Sequence, residues 1–208
     1  MLQNKNLPNK LFIELVQMLS QALRLHGIED SRLYRTHNPK HICCLWCASS
    51  RAHFRWAYEH ACELHSVYRH FIQKKPGPHA SLRVLKVIES FLPILPSSMP
   101  ETIDADEFYD CIKYIRSKQS ASSRKTAGDV LCSYTNLPDN CTCIALAINA
   151  EYQSECVRYD KDGRIDGIAT YRAYHNQKHP LIPESGPAWL EAELLDRYLA
   201  TAHSTVTL

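Results

Sequence analysis

SRAHFRWAYEHACELHSVYRHF, residues 50–71, decides the fold class. Phe54, Ala57, Ala61, Leu64, Val67, Tyr68 and Phe71 recur at three- and four-residue intervals, which lays an apolar stripe along one side of a helix. Ser49 or Ser50 supplies a hydroxyl to cap the first turn, and Pro76-Gly77-Pro78 stops the chain after Lys74. Outward from this helix the same period recurs. Leu11, Leu15, Met18, Leu19, Ala22 and Leu25 predict an amphipathic helix over 7–25, with Gly27 as its stop. Residues 28–40 are polar and read as a loop, 41–48 as a short apolar element of either type, and 81–91 as a further helix.

Beyond this point the composition changes. Pro93, Pro96, Ser97, Ser98 and Pro100 read as a linker, and Asp104 with Glu107 has capping-box spacing ahead of Phe108, Cys111, Ile112 and Ile115. The run 141–152 is apolar and fits helix or strand. Lys161-Asp162-Gly163 reads as a turn, and 165–178 and 187–202 as helices. The expected architecture is mainly α. It has a basic, His-rich helical core over 1–92, an insertion or linker with one helix over 93–136, and a C-terminal helical part over 137–208 that packs on the core.

The formal net charge is only +2 but is unevenly distributed. Residues 1–90 hold 13 Lys/Arg and 6 Asp/Glu, and the rest of the chain 11 and 16, so the two halves differ in sign. Eight of the 11 His lie in the first 90 residues. Such a half faces an anion, phosphate or nucleic acid, or else complements the acidic half. The longest apolar runs are shorter than a membrane span, and Met1 to Asn6 lack the apolar stretch of a secretory signal. An intracellular setting without membrane association is therefore expected. The nine Cys then read as small buried apolar residues rather than a disulfide framework.

Four constellations carry potential chemistry. Glu14 and Gln17 share one face of the first helix, where a carboxylate can act as a general base or merely be solvated. Tyr34, His37, His41, Trp46, His53, Trp56 and His60 form a His- and Trp-rich run, and His53, Trp56 and His60 fall on one helical face. Trp there can stack on a base, although a Trp-bearing helix face is more often core. Cys44-x-x-Cys47 and Cys141-x-Cys143 are too far apart for the usual zinc spacing, so no metal and no other cofactor is expected. Arg172, His175 and Lys178 lie near one helix face and can hold a phosphate, or simply decorate a surface helix. A phosphate loop, a dinucleotide glycine fingerprint, a Gly-x-Ser-x-Gly elbow and a His-Glu-x-x-His motif are all missing from the sequence.

The order Lys10-x-x-x-Glu14-x-x-Gln17-Met18-Leu19, then Tyr34, His41, Trp46, Trp56 and Tyr68, resembles a family of small viral and bacterial helical proteins. It is more distantly similar to the pyrimidine-dimer DNA glycosylases. The family pattern continues with Glu-Tyr, His-x-Ser and a closing Tyr-Arg-x-Tyr-Tyr with Lys and Trp. The likeness is good over 7–82 and weak over 137–190. It implies a compact helical domain of glycosylase type that binds DNA and acts in base repair or modification. In those glycosylases an N-terminal amine attacks the sugar carbon to form an imine, and a Glu on the first helix assists. The resemblance puts Glu14 in that catalytic position. It gives Gln17, Tyr34, His37, His41, Trp46, His53, Trp56, His60, Arg172, His175 and Lys178 as substrate-binding candidates.

Departures are specific. Asn-His-Pro reads Lys40-His41-Ile42, Asn-Tyr-x-Trp reads His53-Phe54-Arg55-Trp56, and Val67 replaces the Glu of Glu-Tyr. The segment that delivers the amine has no counterpart, so either Met1 supplies an amine from a new geometry or the scaffold and DNA surface persist without the chemistry. The alternative function is accordingly a non-enzymatic structural or interaction protein, such as a viral accessory component.

Residues 117–128 contain only Ala121 and Ala127 as apolar side chains, too little burial to offset ordering entropy. Deletion of 119–128 is expected to leave the urea unfolding midpoint unchanged, and limited proteolysis of the full chain to cut first within this stretch.

Overall fold

The computed structural model describes residues 7–35, 38–69, 77–117, 131–133, 137 and 141–178. Among them the fold is mainly helical: α1 (Leu7–Leu25), α2 (Ile42–Ser49), α3 (Arg51–Val67), α4 (Ala80–Glu89), α5 (Ala105–Ser117), α6 (Ala150–Cys156) and α7 (Gly167–Lys178). A 3-10 turn covers Leu92–Ile94. Strands β1 (Leu131–Ser133) and β2 (Ile144–Leu146) form an antiparallel pair in the register Leu131↔Leu146, Cys132↔Ala145, Ser133↔Ile144. The segments 119–128 and 187–202, read above as a loop and a helix, lie outside the described residues.

α1 packs against α2, α3 and α4 and forms the centre of the bundle. Its bounds match the sequence reading, but its buried face is rotated. Phe12, Val16, Leu19, Ala22 and Leu23 are buried, whereas Leu25 is exposed. The helix is apolar over more than half its circumference, and bulk decides the facing, because Phe12 fills the gap between α3 and α4. Gly27 ends the helix at φ 82°, a conformation that costs a side-chain-free residue nothing. Its N–H donates to Arg24 O (2.9 Å), and Ile28 N–H donates to Leu23 O (3.1 Å), satisfying carbonyls of the last turn.

Ser50 caps α3 by accepting from His53 N–H at 3.2 Å. The two donors ahead of it are satisfied from far along the chain: Arg51 N–H reaches Pro100 O (2.8 Å) and Ala52 N–H reaches Glu101 O (3.1 Å). Arg51 Nη2 also donates to the carbonyls of Leu95 and Pro96 at 3.1 and 3.2 Å. Leu95 and Met99 are buried in the main core. The stretch read as a linker is thus a docked strap that closes the N-terminus of α3. Asp104 Oδ1 accepts from the N–H groups of Asp106 and Glu107 and starts α5 as its spacing predicts.

The apolar element over 41–48 is α2, and 141–152 divides into β2 followed by the start of α6. A second, smaller core of Leu146, Ile148, Cys156 and Tyr174 lies under α6 and α7. Its seam with the strands is Gly167, whose N–H donates to Ser133 Oγ (3.0 Å), which in turn donates to Ile165 O (3.0 Å). A Cβ at position 167 would lie 2.8 Å from Ser133 Cβ and 2.9 Å from Ser133 Oγ. Gly167→Ala should therefore destabilise the protein by about 1–3 kcal/mol through overpacking, despite alanine's better helix propensity. A urea titration that shows an unchanged or raised midpoint would contradict the packing of this seam.

Candidate functional site

Two groups of polar and aromatic side chains emerge, one interior and one at an end of the bundle. The interior group centres on Trp46. It is buried, its indole N–H donates to Cys143 O at 2.7 Å, and its ring stacks on His53 at 4.5 Å with 18° between planes. Trp56 meets Trp46 edge-on at 5.5 Å and stacks on His60 at 5.1 Å. Ser49 Oγ donates to Trp46 O (2.8 Å) and accepts from His53 Nδ1–H (2.9 Å), which leaves His53 Nε2 to accept from Thr142 N–H (3.4 Å). His53 is therefore neutral, and burial pushes its pKa down to about 4, as burial also does for His60.

The sequence candidates Trp46 and His53 are thus core residues whose faces and polar atoms are used inside the protein. Trp56 and His60 lie against them, half-buried. No base can stack on Trp46 without dismantling the core.

The second group gathers where the first half of α1, the starts of α2 and α4 and the end of α3 meet. Glu14 is 43 % exposed, lies 3.7 Å from Lys10 Nζ, and its charge acts on His41 and Cys43. Gln17 follows it on the same face, half-buried. His41 caps α2, its Nδ1 accepting from Cys43 N–H at 3.3 Å. Desolvation lowers the His41 pKa and outweighs the opposing pull of Glu14, whereas the Cys43 thiol is pushed up to about 12 by burial, then by Cys44 and Glu14. Cys43 is a poor nucleophile in this setting. Tyr171 of α7 approaches the same place, since the charge on Cys43 acts on its phenol, while its hydroxyl accepts from Ala147 N–H at 3.1 Å.

At the same end the Tyr34 hydroxyl pairs with Ser81 Oγ (3.1 Å), and Ser81 N–H donates to His79 Nδ1 (3.1 Å). His79 Nε2–H donates to Asn9 Oδ1 at 2.7 Å. Phe12 packs against both His65 and His79, each at 5.1 Å.

Glu14 therefore lies within electrostatic reach of His41, with Gln17 on its own helix face. Tyr34 is tied instead to the start of α4 through Ser81, and Trp46, His53, Trp56 and His60 form the interior stack. Arg172 is exposed on α7. His37 lies outside the described residues, as do the side-chain positions of His175 and Lys178. Asn9, His65, His79 and Ser81 were not among the candidates, although His79-Ala80-Ser81 carries the His-x-Ser spacing named above.

All nine cysteines are free thiols. Cys44 and Cys47 are buried in α2, and Cys132 and Cys143 hydrogen-bond to each other behind the strands, which raises the Cys143 pKa. Among the described residues no three His, Cys, Asp or Glu side chains gather as a metal site. An open depression lined by Glu155, Arg158, Ala173 and Gln177 contains none of the candidates.

The chain matches no protein-family model, no curated protein and no solved structure.

The interior stack generates a pH dependence. The unfolded chain takes up protons on His53 and His60 near pH 6.5, and the folded chain only near pH 4. Stability is therefore complete above pH 6.5 and is lost as pH falls toward 4, on the order of 3 kcal/mol for His53. Urea midpoints measured across this window should fall for the native chain and fall less for His53→Gln, which keeps both hydrogen bonds without taking a proton.

Proposed function

We propose that the protein binds DNA with the end of the bundle that carries Glu14 and acts in base repair or modification. Its fold is read as a variant of the pyrimidine-dimer glycosylase type. The observation that carries this reading is the division of labour among the basic side chains of the first half. Arg24 is committed to Glu29 (2.8 Å) and to loop carbonyls, Arg32 to Asp30 (2.7 Å), and Arg51 and Arg55 to Glu101. Arg35, Lys40, Arg69, Arg83 and Lys86 are exposed and have no ion-pair partner among the described residues. Arg35 and Lys40 flank the loop between Tyr34 and His41, Arg69 follows α3, and Arg83 is in the first turns of α4. Exposed cations left without a carboxylate partner suit a phosphate backbone.

In this reading Glu14 is the acid–base group, with Gln17 and His41 as its polar neighbours, Tyr34 contributes from beside the start of α4, and the backbone is held by Arg35, Lys40 and Arg69. A second reading is favoured by the burial of Trp46 and His53, which leaves the Trp-rich run without a base-stacking role. In that case the chain is a non-enzymatic interaction protein that keeps a helical scaffold.

Fluorescence anisotropy with a short duplex, repeated over a salt series, tests the proposal. Log affinity should fall linearly with log salt, and the double change Arg35→Ala and Lys40→Ala should flatten that slope by about 2. Failure to bind at low salt, or an unaltered slope in the double variant, would overturn it. Borohydride trapping on abasic DNA separates the readings: an adduct lost in Glu14→Gln marks a lyase, and salt-dependent binding without an adduct marks a binding protein.

A further inference from the structure

Two helices at the polar end begin with the same unusual device, a histidine as N-cap. In α2 the cap is His41 and in α4 it is His79, and in each the imidazole Nδ1 accepts the N–H two residues on. Serine, threonine, aspartate and asparagine fill this role without titrating near neutral pH; histidine does not. A protonated imidazole has no lone pair at Nδ1. It would aim an N–H at the N–H it now satisfies, and place a cation at the positive end of the helix dipole.

We propose that His79 is a proton-operated latch on the start of α4, closed when the ring is neutral and released when it is protonated. Two connections pass through the ring and a third through the backbone of the same residue. Nδ1 holds Ser81 N–H at 3.1 Å, Nε2–H holds Asn9 Oδ1 of α1 at 2.7 Å, and the Leu82 N–H returns to His79 O at 3.0 Å. Ser81 Oγ is in turn the partner of the Tyr34 hydroxyl, so release of the first turn of α4 also frees the loop that carries Arg35 and Lys40.

Among the described residues the surroundings offer the protonated ring no compensation. From α1 it meets Asn9 and Phe12, and from α3 Tyr68, edge-on at 5.2 Å, with His65 and Arg69 beyond. Its own helix contributes Ser81 and, further on, Arg83. None of these is a carboxylate, and Arg69 and His65 can only add positive charge. Glu14 acts instead on His41. The two caps therefore differ in kind: protonated His41 gains an attraction to Glu14 that protonated His79 lacks. Burial holds both rings below the ordinary histidine value, so the closed state is complete at neutral pH and is lost as pH falls. The latch acts whether or not the protein binds DNA.

Hydrogen exchange read by mass spectrometry at pH 7.5 and pH 5, corrected for the intrinsic rate, tests it in the full chain. Beyond the loss that peptides of α3 share through His53 and His60, peptides that cover 79–90 and 31–35 should lose protection on the order of tenfold at the lower pH. His79→Asn, which keeps a capping acceptor without a titrating ring, should abolish that loss, and His41→Asn should leave it in place. Equal protection at both pH values, a loss that persists in His79→Asn, or one that vanishes in His41→Asn would overturn the latch. Should His79→Asn fail to fold, nitrogen shifts of the native imidazole decide. The Nε2–H tautomer at pH 7.5 supports the latch, and the Nδ1–H tautomer refutes it.

Discussion

A buried indole N–H must find an acceptor, and Trp46 finds one 97 residues away at Cys143 O. Leaving that donor unpaired in the core would cost about 1–3 kcal/mol, comparable to a sizeable part of a domain's stability. The chain before β2 is therefore held against α2 by a bond that no local sequence feature supplies. Trp46 also stacks on His53, whose Nε2 accepts from Thr142 N–H, the neighbouring residue of the same distant segment. Two polar atoms from the α2–α3 corner thus pin residues 142 and 143. The two-stranded sheet, marginal on its own, acquires a fixed base. From that base Gly167 and Ser133 position α7, and Tyr171 reaches the start of α2.

The opposed charges of the two halves follow a similar logic at the other side of α3. Glu101 lies at the N-terminus of this helix, where a carboxylate is favoured by the dipole, and pairs with Arg51 and Arg55. Its backbone carbonyl and that of Pro100 close the first turn. The acidic half therefore neutralises part of the basic half, but locally, at one strap. Arg69 follows the opposite end of α3, and neither it nor Arg35, Lys40, Arg83 or Lys86 pairs with Glu101 of the strap. Complementation engages Arg51 and Arg55 and leaves other arginines of the first half for the anion contact proposed above.

How much of this was legible in the sequence depends on the range of the interaction. The bounds of α1, its Gly27 stop and the Asp104 cap were readable because each is a contact between residues fewer than five apart. The buried face of α1 is legible in part: Leu19 and Ala22 are buried and Leu15 and Met18 pack against the core, but Phe12, Val16 and Leu23 beside them form its centre, which only packing against α3 and α4 selects. The strap over 95–101 read as a linker because its proline content disfavours regular structure, while its carbonyls, which do the docking, leave no mark on side-chain composition. Trp46 and His53 could be read as surface or as core until their partners at 142 and 143 were known. Asn9, His65 and Ser81 escaped notice because a lone small polar residue, or one His among many, has no periodic signal. His79 did have one: it precedes an apolar period after Pro78, the place of an N-cap, but histidine is not the residue usually sought there.

That last point changes what a histidine-rich composition means. His26 donates from Nε2 to Ala48 O at 2.7 Å and pairs through Nδ1 with Ser98 Oγ (2.8 Å). His41 and His79 each cap a helix through Nδ1, and His53 links Ser49 to Thr142. The caps of His41 and His79 and the link from His53 to Thr142 each need one ring nitrogen with a lone pair and are incompatible with the doubly protonated ion. Burial moves His41, His53, His60, His65 and His79 in the same direction, toward the neutral form. The chain uses imidazole as a compact two-ended hydrogen-bond bridge, able to donate at one edge and accept at the other across its ring. Any attraction of the first half for an anion at neutral pH then draws nothing from these five rings and rests on groups such as arginine and lysine, whose charge does not depend on the packing that the histidines maintain.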